Sequence, residues 1–137
     1  MGFFSKLLGL SENKKSSIKN EANIPDAINA HVKWKIRLEK YLDGSSEEKL
    51  DAAVICRDDQ CALGKWIYGA AEIHFKGDEG LKILREDHAE FHTIAGKIVS
   101  CVQASDQKMA EALMKQDYAE ASRKVIRDLT ELDKQLS

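Results

Sequence analysis

The chain has 137 residues, 43% hydrophobic and 32% charged, with a formal net charge of −2, eight Gly and one Pro. That length suits a single domain with its own core, and the composition suits a mostly helical fold. No basic excess is available for phosphates, which sets nucleic acid aside as a partner, and no run is long enough to cross a bilayer. Three Cys without framework spacing, and the lack of a secretory signal pattern, point to a reducing compartment, the cytoplasm.

Residues 1–10 (MGFFSKLLGL) carry Phe3, Phe4, Leu7, Leu8 and Leu10 around Ser5 and Lys6, an amphipathic segment if helical. It reads either as a peripheral membrane anchor or docking peptide, or as a terminal turn packed on the rest of the chain. Residues 11–23 are polar and read as a tether, leaving 24–137 as the folded unit. Ile24-Pro25-Asp26 starts a helix, with Pro in the first turn and Asp complementing the dipole. Ala27, His31, Trp34, Leu38 and Tyr41 share its inner stripe, and Gly44 ends it. A shorter piece is expected from Ser46 to about Val54, a polar loop over Arg57–Gln60, and a short helix from Cys61 to Tyr68. A long helix follows from about Asp78 to Val102, apolar at Leu81, Leu84, Phe91, Ala95, Ile98 and Val102. The break at Ala104-Ser105-Asp106 separates it from a last helix over Gln107–Leu136. Short connections make neighbouring helices antiparallel, so the expectation is an all-α, antiparallel four-helix bundle with a short extra helix carrying Cys61.

His88 and His92 stand four apart, on one helix face beside the stripe that meets the core. Burying two imidazoles without partners is unfavourable, and a metal ion supplies a partner. His31 points inward from the first bundle helix. Cys61 opens a short helix, where free N–H groups and the dipole should favour its thiolate. Three imidazoles and one thiolate form a zinc set drawn from three separate segments, so binding should be coupled to folding of this end of the bundle. His74 is a rival ligand in a stretch that reads as irregular. Trp34, Trp66 and Phe91 read as packing that excludes water, and Gly64 as a point of close backbone approach. Asp58 and Asp59 are solvated loop acids or acceptors for a ligand imidazole N–H. Cys56 reads as an inert thiol or a disulfide partner on oxidation, and Cys101 as a small core residue.

His31-x-x-Trp34, Cys61-Ala-Leu-Gly-Lys-Trp66 and His88-x-x-Phe91-His92, in that order, resemble the chemoreceptor zinc-binding domain family. The resemblance covers about 24–136. It implies a four-helix bundle, often dimeric, with one zinc on His31, Cys61, His88 and His92. It also implies partnership with chemotaxis receptors or diguanylate cyclases, whose output zinc or oxidants set. Neither a methyl-accepting coiled coil nor a GGDEF domain is present, so the chain reads as a stand-alone version. The expected function is a non-catalytic zinc sensor or regulatory module in bacterial signalling. The alternative is an adaptor tethered through residues 1–10 whose zinc is structural. A hydrolase with Cys61 as nucleophile lacks any oxyanion signature, and Lys35 stands where a di-iron bundle would want a carboxylate.

Overall fold

The computed structural model describes residues 4–137, and among them every regular element is helical. A 3₁₀ turn, Ser5–Gly9, is followed by α1 (Glu12–Ala22), α2 (Ile24–Asp43), α3 (Ala52–Ile55), α4 (Ala62–Tyr68) and α5 (Ala70–Phe75). The longest helix, α6 (Glu79–Gln103), leads to α7 (Gln107–Leu113), a π-helical turn (Met114–Tyr118) and α8 (Ala119–Leu136).

The helix boundaries follow from local chemistry. Asn23 adopts φ 34°, ends α1, and accepts from the Asp26 N–H at 3.2 Å to cap α2. Gly44, at φ 81°, ends α2 in the left-handed conformation open to glycine. The inner stripes then meet. α6 buries Leu81, Leu84, Phe91, Ala95 and Ile98; α8 buries Ala121, Val125, Leu129, Leu132 and Leu136; α2 brings Ile24, His31 and Leu38. α6 and α8 form the most extensive helix pair, α2 packs on both, and α3 lies across α6. Gly96 permits that last crossing, because a Cβ there would come within 2.7 Å of the Cys56 Cβ.

The structure departs from the sequence-based expectation in four places. Residues 11–23 are not a tether: Ser11 caps α1 by accepting from the Lys14 N–H at 3.2 Å, and Ile18 is fully buried. The helix expected over Ser46–Val54 shrinks to α3, because residues 45–51 run irregularly, with Glu48 held by Arg37 on α2 at 2.7 Å. His74 sits in α5 rather than in an irregular stretch. The last helix is interrupted by the π turn. At the N-terminus, Phe4 and Leu7 are buried in the core while Leu8 stands in solvent. The part of the 1–10 expectation that rests on Met1, Gly2 and Phe3 lies outside the described residues.

Candidate metal centre

Four side chains from three places in the chain converge. α2 contributes His31, α6 contributes His88 and His92 from successive turns of one face, and Cys61 arrives at the N-cap of α4. One donor atom from each lies within 4.8 Å of all the others. The His88 Nε2 is central, 3.1 Å from the Nε2 of both His31 and His92 and 3.4 Å from the Cys61 Sγ; the Cys61 Sγ stands 3.7 Å from the His92 Nε2. All three imidazoles are buried and Cys61 is half-buried.

The location of the protons shows what this cluster wants. The His31 Nδ1 faces the Ala27 carbonyl at 2.7 Å, and the His92 Nδ1 faces the Ile55 carbonyl at 2.9 Å. A carbonyl only accepts, so both Nδ1 atoms carry hydrogen, and in a neutral ring each Nε2 is then a bare lone pair. His88 has a single proton to place. On Nε2 it can satisfy only one of its two neighbours; on Nδ1 it is buried without any hydrogen-bond acceptor. Even with the Cys61 thiol donating to one ring, either tautomer leaves a buried nitrogen unsatisfied, the His88 Nδ1 in both cases, and a divalent cation would accept the Nε2 lone pairs and the sulfur together.

The spacing agrees with this. Zinc–nitrogen bonds of ~2.0–2.1 Å and zinc–sulfur bonds of ~2.3 Å in a tetrahedron imply N···N edges of ~3.3 Å and N···S edges of ~3.6 Å. Four of the six donor–donor separations, 3.1 Å between imidazoles and 3.4–3.7 Å to sulfur, lie close to these edges, and the rest are within 4.8 Å. The residues present fit a tetrahedral N₃S ion.

The surroundings favour neutral imidazoles. Burial holds His31 and His92 below the ordinary imidazole value, against the Ala27 and Ile55 carbonyls, and pushes His88 down to about 2, helped by the neighbouring rings. Cys61 departs from expectation: burial raises its thiol, and the N–H groups of Gly64 and Leu63 only oppose that rise. A metal cation at the cluster would be what draws off this proton, because ligand thiols bind as thiolates.

A pH dependence follows. In the metal-free protein His88 binds fewer protons folded than unfolded, so stability is retained above the unfolded value near 6.5 and lost as pH falls below it. Lowering the pH from 6.5 to 5 should remove about 2 kcal/mol through His88 alone, at ~1.4 kcal/mol per unit. Urea unfolding of chelator-treated protein at the two pH values measures it.

The neighbouring residues take definite places. Phe91 is fully buried with its ring edge-on to His31 at 5.1 Å and to His92 at 5.4 Å, and Tyr118 packs behind it at 5.3 Å. Trp66 is buried toward Phe75. Trp34 is half-buried beneath the Arg37 guanidinium, 3.8 Å from its ring centre. Gly64 lies against the Asp58 backbone, where any Cβ would overlap the Asp58 carbonyl oxygen. Asp58 bonds the Tyr68 hydroxyl, and Asp59 bonds Arg57 and Gln60, so backbone carbonyls rather than these carboxylates orient the imidazoles. His74 is outside the cluster, paired with Glu21 at 2.9 Å. Cys56 is exposed, and Cys101 is half-buried against the core.

The family model described as the chemoreceptor zinc-binding domain matches residues 31–99, half of the chain, spanning all four donors. Comparison with curated proteins and with solved structures gave no match. No helix among the described residues is long and apolar enough to cross a membrane.

Proposed function

We infer, for a chain that belongs to the chemoreceptor zinc-binding domain family, that His31, Cys61, His88 and His92 hold one zinc ion and that the occupancy of this site is a regulatory signal. The observation that carries the reading is the donor set: three neutral imidazoles and one thiol brought together from three separate segments of the chain. Four protein ligands leave no open position of the kind catalytic zinc keeps, which supports a binding module rather than an enzyme. When bound, zinc supplies charge neutralisation for the thiolate and a cross-link between α2, α4 and α6.

Cys61 is the element that can change state. Two-electron oxidation of its thiolate by peroxide gives a sulfenic acid and hydroxide, and removes the only anionic ligand. α4 then loses the anchor at its N-cap while α2 and α6 keep their packing. A conformational change of the Cys61 turn is the output we propose, delivered in the cytoplasm to a chemoreceptor, a diguanylate cyclase or a second copy of the chain. Val32 and Ile36, one turn apart and exposed on α2, are a candidate contact face. The second reading is a module tethered through residues 1–10 with permanently structural zinc; the exposed Leu8 beside Lys6 favours it.

The test separates the two. In a Cys56→Ser/Cys101→Ser variant Cys61 is the only thiol. Stoichiometric peroxide should release zinc in step with sulfenic acid at Cys61, read with a colorimetric zinc indicator and a sulfenic-acid trap. Zinc retained while Cys61 oxidises would favour the structural reading and sink the switch.

A further inference from the structure

We propose that residues 4–10 are a strap latched by Asp78 and released when the metal centre comes apart. Phe4 and Leu7 are 1% and 2% exposed, so the segment is docked rather than loose. Its polar hold is concentrated on one side chain. Asp78, itself 5% exposed, accepts from the Ser5 hydroxyl through Oδ1 at 2.6 Å and from the Lys6 N–H through Oδ2 at 3.2 Å. The Phe4 N–H adds a weaker bond to Gln135 at 3.3 Å.

Asp78 also stands at the N-cap of α6, yet its side chain makes no capping bond to that helix. Asp is among the residues preferred at this position because its carboxylate can accept from the first free N–H groups. Here both oxygens serve the strap instead. The carboxylate therefore has two alternative employments, the strap when docked and the α6 terminus when not. Release of the strap is compensated at once, which is what makes a two-state element.

The docked strap rests on a short chain of contacts leading to the metal cluster. Phe4 sits edge-on to Phe75 at 5.1 Å, and Phe75 faces Trp66 at 6.3 Å. Trp66 belongs to α4, whose N-cap is Cys61. α4 and α5 have seven and six residues, too few to be stable except through tertiary anchors. Cys61 in the cluster anchors one end of this pair, and Phe75 under the strap anchors the other. Loss of the Cys61 anchor loosens the floor on which Phe4 lies. The freed segment presents Phe4 and Leu7 together with Leu8, already 83% exposed, beside Lys6.

This inference rests on the zinc reading above, and the experiment tells the two apart. Hydrogen exchange is followed in the full chain with zinc and after chelation, with zinc content measured on the same samples. The amides of Lys6, Leu7 and Leu10, all bonded in the docked strap, should exchange at least tenfold faster after chelation, while Val125–Leu132 in α8 stay protected. Asp78→Ser keeps a good capping residue but no carboxylate for Ser5 and Lys6; it should free the strap with zinc still bound. Strap exchange unchanged by chelation in samples shown to have lost zinc would overturn the proposal. So would a strap still protected in Asp78→Ser, or an equal rise in α8, which means global unfolding. Protein that never takes up zinc would overturn the zinc reading, and this proposal with it.

Discussion

Replacing His88 with Ala should strip the chain of zinc and lower the melting temperature of the zinc-loaded protein by more than about 10 °C. The same substitution should change the metal-free protein by no more than about 1–2 kcal/mol. His88 is the hub of the cluster, 3.1 Å from both other imidazoles and 3.4 Å from sulfur, so its loss leaves three donors with no common neighbour. A ligand present at a thousand times its Kd stabilises the folded state by ~4 kcal/mol, and each kcal/mol moves the melting point of a domain this size by roughly 3–5 °C. Without metal, opposing effects nearly cancel. Truncation opens a cavity, which is unfavourable, but it also removes a fully buried ring whose Nδ1 has no hydrogen-bond partner. Thermal unfolding with and without chelator, alongside elemental analysis, checks both halves. A His88→Ala protein that keeps one zinc per chain, or that is crippled equally without metal, would contradict the reading of this ring as a ligand first.

Gly64→Ala should remove zinc binding about as thoroughly as loss of a ligand, although Gly64 donates nothing to the site. A Cβ there would overlap the Asp58 carbonyl oxygen and lie 3.1 Å from the Asp59 Cα. Both obstacles are backbone, so no rotamer relieves them. Crowding of a well-packed site typically costs 1–3 kcal/mol, and a backbone collision should lie at about the top of that range or above it. The turn that must move is the one that delivers Cys61, whose Sγ also accepts from the Gly64 N–H at 3.3 Å. Gly9→Ala, where a Cβ meets nothing within 4 Å, is the matched control and should bind zinc normally. Zinc content and melting temperature decide it; a Gly64→Ala protein indistinguishable from the parent would mean the Cys61 turn is more plastic than its packing implies.

The four candidate donors could be picked out in the sequence by their placement, and the structure brings them together. His88 and His92 repeat at four residues beside an apolar stripe and His31 interrupts another, so helical periodicity turns the three rings inward, while Cys61 is marked by its place at the start of a short helix. Their orienting partners were not legible. The carbonyls of Ala27 and Ile55 hold the rings, and a backbone acceptor leaves no trace in side-chain identity. Asp58 and Asp59 were the visible alternatives, and they serve Tyr68, Arg57 and Gln60 instead. The acidity of the Cys61 thiol runs against the helix-terminus expectation for a related reason: helix-terminal N–H groups are local and can be read, whereas burial depends on the whole fold. α1 was hidden by its composition. It has a single buried apolar residue, Ile18, too little periodicity to announce a helix, and only Ser11 as its capping signal.

The π turn at Met114–Tyr118 carries a consequence for how this chain can vary in length. Ala110 and Tyr118 are both buried although they are eight residues apart, a separation that an unbroken α-helix would set about 80° out of phase. The wider turn absorbs that offset and lets Tyr118 stand behind Phe91. Removing one residue from Met114–Asp117 would leave Ala110 and Tyr118 seven apart, a separation that a regular α-helix sets only about 20° out of phase, so the faces before and after the turn would stay in register. A deletion inside α6 or α8, where no wide turn takes up the change, would instead rotate the two sides against each other by about 100°. Single-residue deletions in the π turn should therefore be tolerated far better than deletions within α6 or α8, and residues 45–51, irregular and mostly at the surface, can also lengthen or shorten with little effect on the core.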